Sequence, residues 1–310
     1  MKNKKIIVTG GAGFIGSHLV DALVSKGFHV EIADNLSTGR LENVASGAIF
    51  HEIDIRDKGL DDIFNKGNFE AVFHLAAQMD IRKSVDEPAY DAEANIIGGL
   101  NLLQMCRKYN VKKVVFSSTC ASYGEQTIFP APENHPQHPV SPYGISKLAF
   151  EKYLMFYKKE FGLDFVILRY ANIYGPRQRS DGEGGVVAVF FDRLLSGKEA
   201  YIFGDGTQTR DLTYVGDVVN ANLVAMAHNC NDIFNVSTGN ETTINELFDL
   251  MKEITGSTQQ RIYKPPRKGE TLRSVLDSSF LRLALNWEPQ YDLRAGLEKT
   301  SEYFKSKVIA

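Results

Sequence analysis

The chain has few cysteines, little net charge and no long hydrophobic run. Its three cysteines, Cys106, Cys120 and Cys230, are odd in number and lack metal-ligand spacing, so we expect no metal site and a reducing, cytoplasmic location. The formal net charge of −3 argues against nucleic acid or an anionic membrane as a partner. Glycines interrupt the apolar stretch near the N-terminus, so we expect neither a signal peptide nor a membrane span.

Length and patterning predict the fold class. With 310 residues, 43% of them hydrophobic, the chain can bury a large core and should form two lobes. Apolar strand-like runs alternate with amphipathic stretches such as 91–109 and 146–161. The strand-like runs cover residues 6–8, 29–33, 49–53, 71–75, 114–117 and 165–170. This alternation predicts an α/β, Rossmann-type doubly wound parallel sheet with ligands beyond the strand C-termini.

A glycine-rich turn follows the first strand. Gly10, Gly13 and Gly16 stand three apart, and the apolar residues after Gly16 recur at helical spacing. The first glycine permits a sharp turn, the second lets the backbone approach a pyrophosphate, and the third lets helix and strand pack closely. The helix N-terminus then favours the anion. The spacing therefore predicts a dinucleotide site.

The second strand ends in Asp34, about 20 residues after the glycines, where a carboxylate binds an adenosine ribose. No arginine directly follows Asp34, and a carboxylate there would repel a 2′-phosphate. The sequence predicts NAD rather than NADP. Beyond residue 172 the pattern changes, with a loop over 174–185 and short helical patterns at 187–195 and 244–254.

We therefore predict two domains. Residues 1–171 with 211–238 form an NAD-binding Rossmann domain, and residues 172–210 with 239–310 form a smaller C-terminal α/β substrate lobe.

Tyr143 and Lys147 are four residues apart on a predicted helix, which places them on one face. An ammonium about 4 Å from a phenol favours the phenolate by roughly 4 kcal/mol, which lowers a tyrosine pKa by about three, less the effect of desolvation. A cationic nicotinamide ring nearby would add to this. Although Tyr-x-x-x-Lys alone is typical of a solvated face, here it predicts a tyrosine base beside a hydride acceptor.

Nine ordered motifs resemble the extended short-chain dehydrogenases/reductases, and within them the nucleotide-sugar 4-epimerases typified by UDP-glucose 4-epimerase. The motifs are residues 9–16, 34–37, 54–55, 74–78, 117–119, 143–147, 169–172, 204–211 and 267–270. The resemblance implies an NAD-dependent 4-epimerase of a UDP-hexose, acting through a transient 4-keto sugar. It also implies a homodimer formed through helices near 91–109 and 146–161.

The resemblance also implies residue roles. Tyr143 is the catalytic base, Lys147 its activator and a ligand of the nicotinamide ribose, and Thr119 a hydrogen-bond partner of the sugar 4-oxygen, with a structural role as a strand-end turn residue as its alternative. The other cofactor-binding positions are Gly10, Gly13, Phe14, Ile15, Gly16, Asp34, Asn35, Leu36, Ser37, Asp54, Ile55, Leu75, Ala76, Ala77, Gln78 and Asn95. For Asn95, a satisfied polar residue between helices is the alternative.

The implied substrate-binding residues, besides Thr119 and Tyr143, are Asn172, Arg210, Arg267, Glu270 and Ser274. Two guanidiniums suit a pyrophosphate because they form forked, charge-assisted hydrogen bonds. Ser274 is small where relatives vary between bulky and small residues. An N-acetyl group at C2 would then fit, so UDP-GlcNAc/UDP-GalNAc stays open beside UDP-Glc/UDP-Gal.

One departure from relatives narrows the chemistry. Sugar 4,6-dehydratases follow the catalytic threonine with an Asp-Glu pair, whereas Cys120 and Ala121 stand here. These residues cannot move protons at C5 and C6, so the sequence favours simple oxidation and re-reduction at C4. Another nucleotide-sugar epimerase or reductase is the alternative enzyme. A non-catalytic NAD-sensing Rossmann protein is the alternative outside enzymes, but it does not need Tyr143, Lys147 and Thr119 together.

Overall fold

The computed structural model describes residues 4–181, 185–266 and 271–309. Arg267 and Glu270, two predicted substrate ligands, lie outside the described residues. The chain divides into two compact units, the first made of Met1–Gly124, Pro136–Arg169 and Val219–Phe234, the second of Glu125–His135, Tyr170–Val218 and Asn235–Ala310. The domain division predicted from the sequence stays a prediction. Within the described residues, no helix is long and apolar enough to cross a membrane.

The strands and helices of the described chain are as follows. The strands are β1 (Lys5–Thr9), β2 (His29–Asp34), β3 (Ala48–Glu52), β4 (Ala71–His74), β5 (Lys113–Thr119), β6 (Asp164–Tyr170), β7 (Asn172–Tyr174), β8 (Tyr201–Phe203), β9 (Thr209–Arg210), β10 (Leu212–Tyr214), β11 (Ile233–Val236), β12 (Thr242–Thr243), β13 (Ile262–Lys264) and β14 (Arg273–Ser274). The helices are α1 (Phe14–Ser25), α2 (Leu60–Gly67), α3 (Ile81–Asp86), α4 (Pro88–Ala92), α5 (Gly98–Lys108), α6 (Pro142–Phe161), α7 (Val186–Leu195), α8 (Val215–Ala227), α9 (Ile244–Thr255), α10 (Ser279–Leu285) and α11 (Leu293–Ile309).

Among the described residues, seven strands form one parallel sheet in the order β11-β6-β5-β4-β1-β2-β3. The interior strand β1 is apolar because both of its faces are covered, and Ile6, Ile7 and Val8 are at most 1% exposed. The strand order reverses on either side of β1, where β2 lies on one side and β4 on the other. The predicted Rossmann-type fold is confirmed.

The reversal at β1 brings the predicted cofactor segments to one edge of the sheet. Thr9, the last residue of β1, pairs with Ala33 on β2 and with His74 on β4. The neighbour of β4 is β5, which ends at Thr119. Because parallel strands end on the same side, the glycine-rich turn, residues 75–78 and Thr119 all follow strand C-termini, where doubly wound sheets bind ligands.

Helix α6 carries Tyr143 and Lys147, and local sequence signals set both of its ends. At its start the Ser141 side chain accepts a hydrogen bond from the backbone N–H of Gly144 at 3.2 Å, and Pro142 occupies the first turn. At its end Gly162 adopts a left-handed conformation with φ 73°. Helix α6 buries Phe150 and Leu154 in the core of the first unit, which holds its first turns against β5.

The second unit combines short strands with packed helices. Helices α7 and α9 meet through Phe190 and Phe248, whose ring centroids are 5.6 Å apart, and α7 meets α11 through Phe191 and Phe304. The predicted helical patterns at 187–195 and 244–254 correspond to α7 and α9. The strands of two or three residues have no detectable period, which is why the sequence did not indicate them.

Candidate active site

The first turn of α1 can receive an anion. The sequence suggested that Gly16 precedes the helix. In the structure α1 begins at Phe14, so Gly16 lies inside its first turn. Gly13 is the N-cap residue; no described side chain caps this end, and none of the first-turn residues is acidic. The backbone N–H groups at this end are therefore oriented toward a site that suits a pyrophosphate.

Gly10 brings the glycine-rich turn against the segment that follows β4. A Cβ at Gly10 would lie 2.6 Å from the Ala76 nitrogen, and its φ of +72° is in the left-handed region. The Thr9 hydroxyl accepts a hydrogen bond from the Ala76 N–H at 3.3 Å. Leu75 donates its N–H to the Thr9 carbonyl at 3.1 Å, and Leu75, Ala76 and Ala77 are half-buried. The structure thus joins these two predicted cofactor segments.

Asp34 organises the end of β2. Its carboxylate accepts backbone N–H groups from Ala12 at 3.0 Å and Leu36 at 2.9 Å, which draws the glycine-rich turn to the strand end. Burial raises the pKa of Asp34, and the two backbone hydrogen bonds oppose that rise. Each oxygen accepts one protein N–H and retains lone pairs for a ribose hydroxyl. These residues fit a dinucleotide.

Asp54 forms a local ion pair. Its carboxylate accepts from the Arg56 guanidinium through two bonds of 2.8 Å and from the Asn35 amide at 2.7 Å. The hydrogen bond from Arg56 lowers the pKa of Asp54 to about 2. Asn35 also accepts the Ser37 N–H, and Ile55 is buried. The predicted Asp54 contact with adenine therefore involves a carboxylate that already has protein partners.

Asn95 lies in a buried hydrogen-bond network. Its Oδ1 accepts the Gln78 N–H at 2.8 Å, and its Nδ2 donates to the Gln78 carbonyl, Asp91 Oδ1 and Ser146 Oγ at 2.9–3.1 Å. Gln78 donates to Asp91 as well. This geometry matches the alternative for Asn95, a satisfied polar residue between helices. The network also holds the segment of α6 from Tyr143 to Lys147 in place, because Ser146 lies within that segment.

Thr119 and Tyr143 meet at the end of β5. Their hydroxyls hydrogen-bond to each other, and Thr119 Oγ1 also accepts the Ala121 N–H at 3.1 Å. Thr119 therefore lies beside Tyr143 and also has the turn role weighed as its alternative, while its contact with the sugar 4-oxygen stays a prediction. Lys147 is 4% exposed, and its Nζ lies 4.3 Å from the ring centroid of Phe116.

The predicted lowering of the Tyr143 pKa by Lys147 is wrong for the protein alone. Burial raises the pKa of Tyr143 well above its usual value, and the Thr119 hydrogen bond only partly opposes this. Burial also lowers the pKa of Lys147 to about 7, against the opposing charges of Glu151 and Asp91. For both side chains, burial shifts the pKa more than the opposing hydrogen bonds and charges shift it back. The sequence analysis underestimated this effect of burial.

His74 keeps this region free of a further cation. Burial lowers the pKa of His74 to about 3, and the Lys147 charge lowers it further. Its Nδ1 bonds the Thr9 hydroxyl at 2.8 Å and its ring stacks on Phe116. In the sequence analysis His74 is only the first residue of the motif 74–78. Its position as the last residue of a buried strand is the signal that indicates a buried, neutral histidine.

Three predicted substrate residues are connected in the second unit through the main chain of Asp211. Asn172 donates its N–H to the Asp211 carbonyl at 3.0 Å, and Asp211 donates its own to the Ser274 carbonyl at 2.9 Å. Ser274 pairs with Arg210 in the β14–β9 register. The Asn172 Oδ1 is buried without a hydrogen-bond partner among the described residues. Asn172, Arg210 and Ser274 therefore lie together.

Asp211 was not predicted as a site residue. Its carboxylate is fully buried and accepts hydrogen bonds from the Thr238 N–H, the Thr238 hydroxyl and the Gly239 N–H at 2.8–3.1 Å. It therefore fixes the backbone next to Arg210. Tyr123 is fully buried, and the Arg169 guanidinium lies over its ring.

The fold and this arrangement of Tyr143, Lys147 and Thr119 beyond a glycine-rich βαβ unit define a dinucleotide-dependent α/β enzyme of the short-chain dehydrogenase type. Residues 6–237 match the model of the NAD dependent epimerase/dehydratase family, and the chain belongs to that family. The resemblance drawn from the sequence, the enzyme class and NAD as the cofactor are confirmed.

Individual relatives cover the whole chain. The UDP-glucose 4-epimerase of Mycolicibacterium smegmatis is 42% identical over 310 residues, covering 98% of this chain and 99% of the relative. The crystal structure of UDP-glucose 4-epimerase with UDP-glucose from Thermotoga maritima matches with a TM-score of 0.96 and 52% identity, over 98% and 99% of the two chains. The UDP-N-acetylglucosamine 4-epimerase from Methanobrevibacter ruminantium, in complex with UDP-N-acetylmuramic acid, matches with a TM-score of 0.95 and 37% identity, over 99% and 100%.

Proposed function

We propose that this protein is an NAD-dependent 4-epimerase that interconverts UDP-glucose and UDP-galactose. The observation that carries the proposal is the hydrogen bond between the hydroxyls of Tyr143 and Thr119, one helical turn from a buried lysine. Family membership and relatives with UDP-glucose 4-epimerase in their names support it. The burial of Lys147, which lowers its pKa to about 7, also supports the proposal, because strongly shifted pKa values are typical of functional sites.

The residues have distinct roles in this reaction. Tyr143 removes the proton from the sugar 4-hydroxyl, and Thr119 holds that oxygen through its own hydroxyl. Burial alone disfavours the Tyr143 phenolate, and protonated Lys147 together with the cationic nicotinamide ring of bound NAD would favour it. NAD, when bound, supplies the acceptor and donor of hydride at C4. The 4-keto sugar is then reduced from its opposite face, and Tyr143 returns the proton.

The residues that follow Thr119 support epimerisation rather than dehydration. Cys120 is half-buried and forms no disulfide, and Ala121 has no ionisable group, so neither position provides a carboxyl for proton transfer at C5 or C6. The redox change at C4 is therefore reversed within the same turnover, and NAD is predicted to stay bound.

Binding of the nucleotide is proposed for the second unit. The buried Asn172 amide has hydrogen-bonding capacity left for a ligand, because its oxygen has no partner among the described residues. Arg210 lies beside Ser274 in the β14–β9 register, and a guanidinium suits a pyrophosphate because it forms forked, charge-assisted hydrogen bonds. Arg267 and Glu270 keep their predicted roles toward the diphosphate and a ribose hydroxyl.

N-acetylhexosamines are a second candidate for the sugar. Ser274 lies on β14 beside Arg210, and its small side chain would leave room at C2. The Methanobrevibacter ruminantium relative, named a UDP-N-acetylglucosamine 4-epimerase, supports the same candidate. We propose that UDP-GlcNAc/UDP-GalNAc are used in addition to the plain hexoses.

A panel of nucleotide sugars tests the function. Purified protein is incubated with UDP-Glc, UDP-Gal, UDP-GlcNAc and UDP-GalNAc, products are separated by chromatography, and absorbance near 340 nm is followed for bound NADH. We expect the C4 epimer from UDP-Gal and a transient NADH band. No epimer from any UDP-sugar, with nucleotide present on the protein, would contradict the proposal.

We also propose a cytoplasmic homodimer. Helix α6 exposes Ile145 and Phe156 by 53% and 50%, and Ile97 before α5 is 56% exposed, so one face of the predicted interface is apolar. Phe156→Glu should give a monomer by light scattering if this face is the interface. A dimer unchanged by that substitution would move the interface elsewhere.

A further inference from the structure

Glu151 lies one helical turn after Lys147 on the buried face of α6. Its side chain is fully buried and accepts three hydrogen bonds from two residues. Ser118 donates its hydroxyl to Oε1 at 2.5 Å, Arg169 donates Nε to the same oxygen at 3.0 Å, and Arg169 Nη2 reaches Oε2 at 2.6 Å. Arg169 is also fully buried.

Stability alone does not account for this ion pair. Taking two charges out of water opposes folding, and well-packed apolar residues of similar volume often serve as well or better. The position of the pair is what distinguishes it. Ser118 immediately precedes Thr119 on β5, and Glu151 follows Tyr143 and Lys147 on α6. The Ser118–Glu151 hydrogen bond therefore joins the strand that carries Thr119 to the helix that carries Tyr143, and the ion pair with Arg169 adds β6 to this connection.

The charges around Lys147 are few and come from different elements. Glu151 faces it from α6 itself, Asp91 from α4, and His74, which is neutral, from β4. Tyr143 lies one turn earlier on α6. Glu151 and Asp91 both favour the ammonium against desolvation, and the Glu151 effect is the larger.

The positive charge of Arg169 offsets part of the effect that the Glu151 carboxylate has on the pKa of Lys147. The guanidinium neutralises much of the field of the carboxylate and is itself held over the Tyr123 ring, 4.8 Å from its centroid. A cation paired with Glu151 lowers the net attraction that Lys147 experiences. Together with burial and Asp91, the balance of these two charges thus contributes to how readily Lys147 holds its proton.

We propose that the buried Glu151–Arg169 pair is a positioning element of the active site, which fixes α6 against Ser118 and sets the charge state of Lys147. The inference deepens the proposed function and rests on it for its effect on turnover. Its effect on Lys147 itself does not depend on which sugar the protein uses.

The test measures the titration of Lys147 directly. The protein as purified, with its nucleotide content determined, is labelled with [13C]lysine, and the 13Cε resonance of Lys147 is followed from pH 5 to 10. Lys147→Arg assigns the resonance, because Lys113 also has a pKa lowered by burial. Glu151→Gln keeps the shape of the side chain and removes its charge, Arg169→Gln removes the opposite charge, and Glu160→Gln on the exposed face of α6 is the matched control.

The expected shifts have opposite signs. Glu151→Gln should lower the midpoint of Lys147 by roughly one pH unit and Arg169→Gln should raise it, because loss of a negative charge disfavours the ammonium and loss of a positive charge favours it. The double variant should return toward wild type, and Glu160→Gln should not move it. The alkaline limb of the kcat/KM profile should follow the same order.

Two results would overturn the inference. One is a Lys147 midpoint that stays within 0.2 unit in whichever single variants fold, judged by circular dichroism. The other is a shift of the same sign in both single variants, which a general loosening of the core would produce. If one single variant does not fold, the other and the double variant still decide. An inactive protein with the expected shifts would contradict the proposed function and leave this inference standing.

Discussion

Two glycines of the same turn should respond differently to alanine. A Cβ at Gly16 would overlap the carbonyl oxygen of Gly10 and lie 2.9 Å from its carbonyl carbon and 3.0 Å from the Gly11 Cα. A Cβ at Gly13 would meet only the Gly10 oxygen, at 3.2 Å, in an extended backbone that alanine adopts freely. Gly16 is thus required for packing, whereas Gly13 faces the predicted pyrophosphate.

The magnitudes follow from these contacts. Overpacking at Gly16 costs about 1–3 kcal/mol, and alanine regains up to about 1 kcal/mol of helix propensity. A net loss of roughly 1–2 kcal/mol should lower the melting temperature by about 2–8 °C. Gly13→Ala should leave the nucleotide-free protein within about 1 kcal/mol of wild type. It should nevertheless weaken NAD binding at least about tenfold, or 1.4 kcal/mol.

Two measurements separate the effects. Thermal melts of nucleotide-stripped protein report stability, and mass spectrometry of denatured protein reports the bound nucleotide, which should be NAD rather than NADP. We expect Gly13→Ala to lose nucleotide without losing stability and Gly16→Ala to lose both. Equal melting temperatures for Gly16→Ala and wild type, or equal losses of stability in the two variants, would refute this reasoning.

Three further substitutions test the chemistry. Tyr143→Phe should remove nearly all turnover while NAD stays bound, since the ring survives but the proton carrier does not; a kcat above a tenth of wild type would remove Tyr143 from its role. Thr119→Val should lower kcat by about 10- to 100-fold through loss of one hydrogen bond of roughly 1.5–3 kcal/mol, and an unchanged rate would leave Thr119 with its turn role alone. Ser274→Tyr should suppress UDP-GalNAc more than UDP-Gal, and a kcat/KM ratio that moves less than about tenfold (about 1.4 kcal/mol) would mean that Ser274 does not select the sugar.

The sheet and its ligand edge were predictable from the sequence because they rest on local patterns. Apolar runs such as 6–8 and 71–75 mark buried parallel strands, and the glycine spacing marks the turn between β1 and α1. The short strands β9 and β14, which place Arg210 beside Ser274, have no such period. Beside this pair the Asp211 main-chain N–H donates to the Ser274 carbonyl, and the buried Asp211 carboxylate is held by the Gly239 N–H, which are tertiary contacts that propensity does not indicate.

The electrostatics of the site were the least predictable part. The Tyr-x-x-x-Lys spacing identifies the pair, but its pKa values depend on burial by elements far along the chain. Of the two charges that act on Lys147, Glu151 lies one turn away on α6 but Asp91 comes from α4, and burial by other elements has the largest effect, so a local window does not contain the full set of causes. The sequence therefore indicated that Tyr143 and Lys147 share one face of a helix, but it did not indicate their pKa values.

The fate of the hydrogen at C4 tests the central claim most directly. UDP-glucose deuterated at C4 is converted in ordinary water, and the UDP-galactose formed is analysed by mass spectrometry and NMR. Transfer of hydride away from C4 and back within one bound complex predicts that the product retains deuterium at C4, with no loss to solvent over many turnovers. Product carrying protium at C4 would contradict the account, because it would show that C4 exchanges its hydrogen with water.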